Sequence, residues 1–343
     1  MPPETPSERR PRLTPAIADV RRAVREAIEV LLRSEGDAPL VLVALSGGPD
    51  SLALAAATAF EAPRRGMRAG AVIVDHGLQR DSALVAARAA EQARALGLDP
   101  VLVRLVEAGS GPGSGGPEAA ARDARYTALD AARRETSSVA VLLGHTLDDQ
   151  AETVLLGLAR GAGASSLHGM APASGPFVRP LLGIRRSTTV AACADAGLEP
   201  WNDPHNSDPS YSRVRVRQTV LPTLERELGP GMTEALARTA EQLREDGDAL
   251  DHMAQETIEE IVEHAEAGIA ISVGALAANP AALRNRIIRH VVLSEFGVSL
   301  SRVQTLAAAA LVTDWHGQKG VDLPGIRVVR VAGNLVFQAA SDI

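Results

Sequence analysis

Six residues between two apolar runs, Ser46-Gly47-Gly48-Pro49-Asp50-Ser51, have the composition of a cradle for an anion. Gly47 and Gly48 let backbone N–H groups turn toward a ligand. Pro49 suits the first turn of a following helix, whose positive end faces the same anion. Ser46 and Ser51 add hydroxyl donors. The loop carries no lysine and fits neither the Walker nor the dinucleotide pattern. Asp50 would repel phosphates unless a divalent cation stood between them. Magnesium is commonly held in that way, by one or two carboxylates together with phosphate oxygens. The alternative is that Asp50 only complements the helix dipole.

Four other groups of residues have spacings that suit chemistry. Asp149 and Glu152 are three apart, so they share a helical face, where like charges repel unless a cation lies on them. Arg122 and Arg125 have the same spacing, and their planar forks suit phosphate oxygens; a solvated helix face is the alternative. His145 follows Gly144 at the end of an apolar strand and precedes the acidic pair. Arg213, Arg215 and Arg217 alternate, which would line one edge of an extended segment with contacts for nucleic-acid phosphates. Arg179, Arg185 and Arg186 extend that patch.

The elements that must position these residues are legible as a pattern. Strands are expected at 39–45, 70–75, 100–106 and 138–143, and helices at 17–33, 51–60, 81–96, 117–134 and 148–160. Near-continuous Val, Leu and Ile strands alternating with amphipathic helices indicate an α/β fold with a doubly wound, mostly parallel sheet. Ligands in such sheets bind beyond the carboxyl ends of the strands, where the motifs fall. Gly109 to Gly116 reads as a mobile loop, either a lid or a linker. The pattern changes near residue 217. A long helix with Gly247 as a break, another helix at 280–297 and a hairpin around Gly333-Asn334 make a smaller helical or α+β domain over 218–343.

Composition sets bounds. The chain has 343 residues, 45% hydrophobic and 22% charged, which suits a globular protein of two domains. No apolar run reaches the roughly 18–20 residues of a bilayer span. Residues 1–14 have no signal-peptide core and read as a disordered tail. A cytoplasmic protein without a membrane partner is expected. The net charge of −7 is unevenly spread: residues 225–266 hold 13 acidic and 3 basic residues, which leaves a slightly basic remainder. Cys193 is the only cysteine, so there is no intrachain disulfide.

The loop at 46–51 after a buried strand resembles the pyrophosphate loop of the PP-loop ATP pyrophosphatases, adenine nucleotide α-hydrolase-like proteins that cleave ATP between its α and β phosphates. Three further stretches resemble the tRNA(Ile)-lysidine synthetase family: VIVDHGLQRDS (Val72 to Ser82), EAAARDARYTAL (Glu118 to Leu129) and LLGHTLDDQAETVLLGLARGAG (Leu142 to Gly163). WNDPHNSDPSYSRVRVRQTVLPTL resembles the family's Asp-Pro-Ser-Asn…Tyr-x-Arg-Asn-Arg pattern. His205 replaces its serine and Val214 its second asparagine, while Asn206, Asp208, Tyr211, Arg213 and Arg215 match. The resemblance runs from about residue 40 to 225.

It implies ligation of L-lysine to the wobble cytidine of the isoleucine tRNA with a CAU anticodon, through an adenylated tRNA, with AMP and pyrophosphate released. ATP is then a substrate and magnesium sits at Asp50. Ser46, Gly47, Gly48, Pro49, Asp50 and Ser51 bind the pyrophosphate, with Asp75 and His76 beside the adenosine. Asp50, Arg122, Arg125 and His145 are catalytic. Asp149 and Glu152 contact lysine; Arg213, Arg215 and Arg217 contact tRNA. The C-terminal domain positions the tRNA, and a homodimer is an open alternative to a monomer. A thiolating enzyme of the same loop class would need two cysteines. An amide ligase such as NAD synthetase would leave 213–217 unexplained. A non-catalytic tRNA-binding protein would leave the loop and acidic motifs without a purpose.

Overall fold

Each apolar run read as a strand forms one in the computed structural model, which describes residues 13–32, 39–77, 81–106, 116–161, 163–203, 207–265 and 268–340. The chain runs α1 (Pro15–Leu32), β1 (Leu40–Ala44), α2 (Pro49–Glu61), β2 (Arg68–Asp75), α3 (Ser82–Ala95), β3 (Val101–Leu105), α4 (Gly116–Glu135), β4 (Ala140–Leu142) and α5 (Leu147–Ala159). The short strands β5 (Ala173–Ser174) and β6 (Phe177–Val178) follow, then α6 (Arg186–Asp195). Residues 1–12, and 109–115 of the expected mobile loop, lie outside the described residues; Gly116 opens α4.

The strands form one sheet in the order β3-β2-β1-β4-β6-β5, parallel except for the edge strand β5. Alternation along β1 shows why both faces are covered. Val41, Val43 and Leu45 enter a core shared with α1, α2, α3 and α6. Leu40, Leu42 and Ala44 enter another with Leu129 and Ala132 of α4. The chain steps outward from β1 to β3, and α4 then carries it back to β4 on the other side of β1. That reversal opens a crevice at the carboxyl ends of β1 and β4. Gly144 permits the approach there: a Cβ at this position would lie 3.0 Å from the Ser51 backbone nitrogen.

After α6 come α7 (Ser212–Arg215), a π-helical turn (Val216–Val220), α8 (Leu221–Leu228) and α9 (Met232–Ile261). The extended reading of 213–217 is therefore corrected to a helical one. Packing overrides the alternation of arginine and valine. Val216 and Leu221 bury together against Ala151 of α5, and a π turn puts residues five apart on one face.

The first compact unit runs through Glu241, beyond the boundary expected at 217. The cause is visible in that cluster, which also takes in Leu155, Leu156 and Leu236. Arg185 adds a two-pronged ion pair to Glu234, with both bonds at 2.7 Å.

The second unit, Gln242–Ile343, is α+β. Its antiparallel sheet comprises β7 (Val262–Ala265), β8 (Gly268–Ser272), β9 (Val321–Leu323), β10 (Ile326–Val331) and β11 (Asn334–Ala339), in the order β7-β8-β11-β10-β9. It packs with α10 (Val273–Ala278), α11 (Ala281–Phe296) and α12 (Arg302–Thr313). The β10–β11 turn is Ala332-Gly333, with φ of 48° and 83°, the double positive φ of a type I′ hairpin. Gly247 does not break α9. No described helix is long and apolar enough to cross a membrane.

Candidate active site

The loop between β1 and α2 is built from its own small side chains. Gly47 takes a φ of 84°, a left-handed conformation that glycine adopts without strain. The Ser46 backbone N–H donates to Ser51 Oγ at 3.2 Å, and Ser51 Oγ donates to the Gly48 carbonyl at 3.0 Å. Trp201 closes the loop from outside, its N–H donating to the Gly47 carbonyl at 2.8 Å. Gly48 caps α2 without a side chain, so the helix N-terminus is open toward a ligand.

Beside the loop lies a hub of carboxylates. Arg186, the first residue of α6, reaches Asp50 Oδ2 at 3.3 Å, Asp149 Oδ1 at 2.6 Å and Glu152 Oε1 at 3.2 Å. Thr189 donates to the other Asp50 oxygen. Arg217 lies across Glu152 with bonds of 2.7 and 3.0 Å, and Arg213 approaches it at 3.9 Å. The Glu152 side chain has 0% exposure, so these arginines are what makes its burial tolerable. Asp149 also caps α5, with Oδ2 accepting from the Thr146 N–H at 2.8 Å and hydroxyl at 2.9 Å. Burial works against charge on Asp149, but Arg186 and the Thr146 bonds hold its carboxyl below the usual value. Asp50 goes the other way: burial raises its carboxyl, against the Thr189 bond and the Arg186 charge.

Across the crevice stands a wall of cations and histidines. A cavity of about 260 Å³ is lined by Ser46, Asp75, His76, Arg125, Trp201 and Asp203, among others. A second, of about 160 Å³, shares His76 and Arg125 and adds Arg122, Tyr126, Leu143 and His145. Among the described residues, Arg122, Arg125 and Arg179 have no carboxylate within ion-pair distance. Arg122 lies over the Tyr126 ring at 5.0 Å, and Arg179 donates to the Ala171 carbonyl at 2.8 Å. The buried Nδ1 atoms of His76 and His145 make no hydrogen bond. Burial, reinforced by the charges of Arg125, Arg179 and Arg122, pushes the His145 imidazole down to about 4, with Asp149 opposing. Burial and Arg125 lower His76 in the same sense. Both rings are neutral at neutral pH and present hydrogen-bonding nitrogens to a ligand.

Residues 20–224 match the PP-loop domain family, and residues 271–336 match the TilS substrate binding domain. A tRNA(Ile)-lysidine synthase of Leifsonia xyli is 66% identical over 299 residues, covering 87% of this chain and 89% of that protein. One from Thermobifida fusca is 52% identical over 315 residues, covering 91% and 94%. This chain belongs to the tRNA(Ile)-lysidine synthase family. Like other tRNA(Ile)-lysidine synthases it is an ATP-dependent ligase that modifies tRNA. A U34-tRNA thiolase from Methanococcus maripaludis shares the fold, with a TM-score of 0.53 over 67% of this chain and 80% of that one, at 20% identity.

The residues expected at a lysidine synthase site are brought together in two sets. Asp50, Asp149, Glu152 and Arg217 meet in the hub; Asp75, His76, Arg122, Arg125 and His145 line or adjoin the cavities. Arg215 stands apart, donating to the carbonyls of Pro209 and Ser210 at 2.7 Å each. Arg185 and Arg186, expected on an exposed patch, are instead held by carboxylates. His205 and Asn206 lie outside the described residues.

Sequence reading missed the partners of Asp50, namely Arg186 and Thr189, and the cavity residues Trp201 and Asp203. The signal available was the WNDPHNSDP segment itself, in which Asp203 opens the Asp-Pro motif and Trp201 stands two residues before it. As a magnesium site the hub offers one carboxylate, Asp50, at the loop. No cluster of three or more His, Cys, Asp or Glu residues is arranged for a metal among the described residues. A cation at Asp50 would share that carboxylate with Arg186 and Thr189, and its remaining ligands would have to come from phosphate oxygens. Cys193 donates to the Pro49 carbonyl at 3.3 Å, and burial pushes its thiol up to about 12, which makes it a packing residue.

Proposed function

We propose that this protein joins L-lysine to C2 of the wobble cytidine of the isoleucine tRNA with a CAU anticodon. The cytidine O2 attacks the α-phosphorus of ATP, the bond to pyrophosphate breaks, and an adenylated tRNA forms. A lysine amine then bonds to C2, the C2–O bond breaks, and AMP leaves with the oxygen. The carrying observation is the unneutralised wall of Arg122, Arg125, His76 and His145, contiguous with the pyrophosphate loop. A partly buried cation without a carboxylate partner is stabilised by an anionic ligand, here the phosphates of ATP and the charge that builds on them.

In this reading the loop N–H groups and the hydroxyls of Ser46 and Ser51 bind the pyrophosphate as it leaves. Asp75 and His76 lie beside the adenosine, and Arg125 donates to the α-phosphate, with Arg122 supporting it. His145, neutral, offers a ring nitrogen to the target base. Asp149 and Glu152 hold the ammonium groups of lysine, which takes over contacts that Arg217 makes in the free protein while those of Arg186 remain. Arg213 and Arg215 meet tRNA phosphates, joined by Arg217 once released. Magnesium at Asp50 supplies charge neutralisation for the phosphates.

The test is mass spectrometry of nucleosides from the isoleucine tRNA after incubation with ATP and isotope-labelled lysine. Label is expected in a modified cytidine. Asp50→Ala is expected to abolish adenylate formation while tRNA binding persists. Unlabelled tRNA, with ATP spent on an unrelated acceptor, would sink the reading.

A further inference from the structure

The guanidinium of Arg186 joins two parts of the site that handle different substrates. Its Nε faces Asp50 of the pyrophosphate loop, at the start of α2, while its Nη1 and Nη2 face Glu152 and Asp149 of α5. Its backbone N–H donates to Asp148 Oδ2 at 2.7 Å, which ties the start of α6 to the first turn of α5. One turn further on, the fully buried Thr189 donates to the remaining Asp50 oxygen. Neutralising Glu152 does not require this arrangement, because Arg217 already pairs with both Glu152 oxygens. What Arg186 adds is a fixed distance between the acidic pair and the nucleotide loop. A planar fork with three separated nitrogens can span three carboxylates at once; an ammonium is a single point of charge.

We propose that Arg186 and Thr189 are positioning residues of the ligation. Arg186 couples the loop that handles the nucleotide to the acidic pair that receives lysine, and Thr189 orients Asp50 alone. The proposal rests on the two-step reading above. It separates the two residues by effect: Thr189 bears on adenylation, and Arg186 bears on both adenylation and lysine binding.

Two assays on the full chain separate the steps. Pyrophosphate release with tRNA and ATP in the absence of lysine follows the first, and the lysine dependence of product formation follows the second. Thr189→Val keeps the side-chain volume and is expected to slow pyrophosphate release about 10–100-fold, as loss of alignment does, with KM for lysine unchanged. Arg186→Gln is expected to slow the same step and also raise KM for lysine by about 10-fold or more, with tRNA affinity unchanged. Arg186→Lys keeps the charge without the three-way fork and is expected to retain the raised KM.

Full rescue by Arg186→Lys would overturn the bridging role. So would an unchanged lysine KM in Arg186→Gln, or a raised one in Thr189→Val. Wild-type protein that releases no pyrophosphate with the tRNA would overturn the two-step reading itself, a result distinct from all of these.

Discussion

Around Glu152 each carboxylate meets a guanidinium or hydroxyl, whereas around His145 three arginines and two imidazoles face one another with no carboxylate among the described residues paired to those arginines. The two regions border the same crevice and draw on the same residue types. They differ in what they leave unfinished. The hub closes its electrostatics within the chain and so fixes the relative placement of α2, α5 and α6. The wall does not, and a partly buried charge without an ion-pair partner carries a cost until one arrives. A saturated cluster therefore marks where the fold holds the site together. An unsaturated one marks where an anionic ligand would find unpaired cations.

Breaking each region separately tests that distinction. Glu152→Ala is expected to have the largest effect, and on stability. It leaves Arg217 and one arm of Arg186 without their buried partner, at about 3–5 kcal/mol by chemical denaturation. A loss under about 1 kcal/mol, the range of a surface ion pair, would mean that water already screens the hub. Arg125→Gln should act on chemistry instead. Ligation is expected to slow about 10²–10³-fold, as when one donor to a developing charge is removed. Its Tm should hold or rise, because an unpaired cation has been taken out of a half-buried position. A fall in Tm as large as that of Glu152→Ala would erase the difference between the regions.

The same contrast explains what was legible in the sequence. The pyrophosphate loop could be read because its parts are adjacent: two glycines, a proline at the helix start and serines within hydrogen-bond reach. The strands could be read because burial on both faces demands unbroken Val, Leu and Ile. The three-residue spacing of Asp149 and Glu152 correctly put them on one face. What neutralises them could not be read, since Arg186 meets Asp149 across 37 positions and Arg217 meets Glu152 across 65, and Arg186 reaches Asp50 across 136. Nothing local distinguishes an arginine that binds three carboxylates from one that faces water. The segment 213–217 misled for a related reason. Alternating arginine and valine suits an edge strand, but the burial of Val216 and Leu221 against α5 decided for helix. That packing also carried the first compact unit past residue 217.

The smallest expected effect concerns pH and probes the wall directly. His145 is held down to about 4 from an ordinary 6.5, by burial and by the arginine charges around it. As pH falls through 6.5 the unfolded chain takes up a proton at this histidine, and the folded protein does not until about 4. Proton uptake then favours the unfolded state. The contribution of His145 is intact above pH 6.5 and is lost on acidification, by at most about 3 kcal/mol. Asp50, with its carboxyl raised by burial, acts in the opposite sense near its own titration, so the wild-type slope alone is not diagnostic. Denaturation of wild type and His145→Gln between pH 7 and 4 isolates the histidine: the gap between the two curves should change in that window. Parallel curves would mean that neither burial nor the arginine charges hold the ring down. Saturating ATP sharpens the comparison further. Phosphates on Arg122 and Arg125 would offset the charges that lower His145, so the gap should vary less with pH when nucleotide is bound.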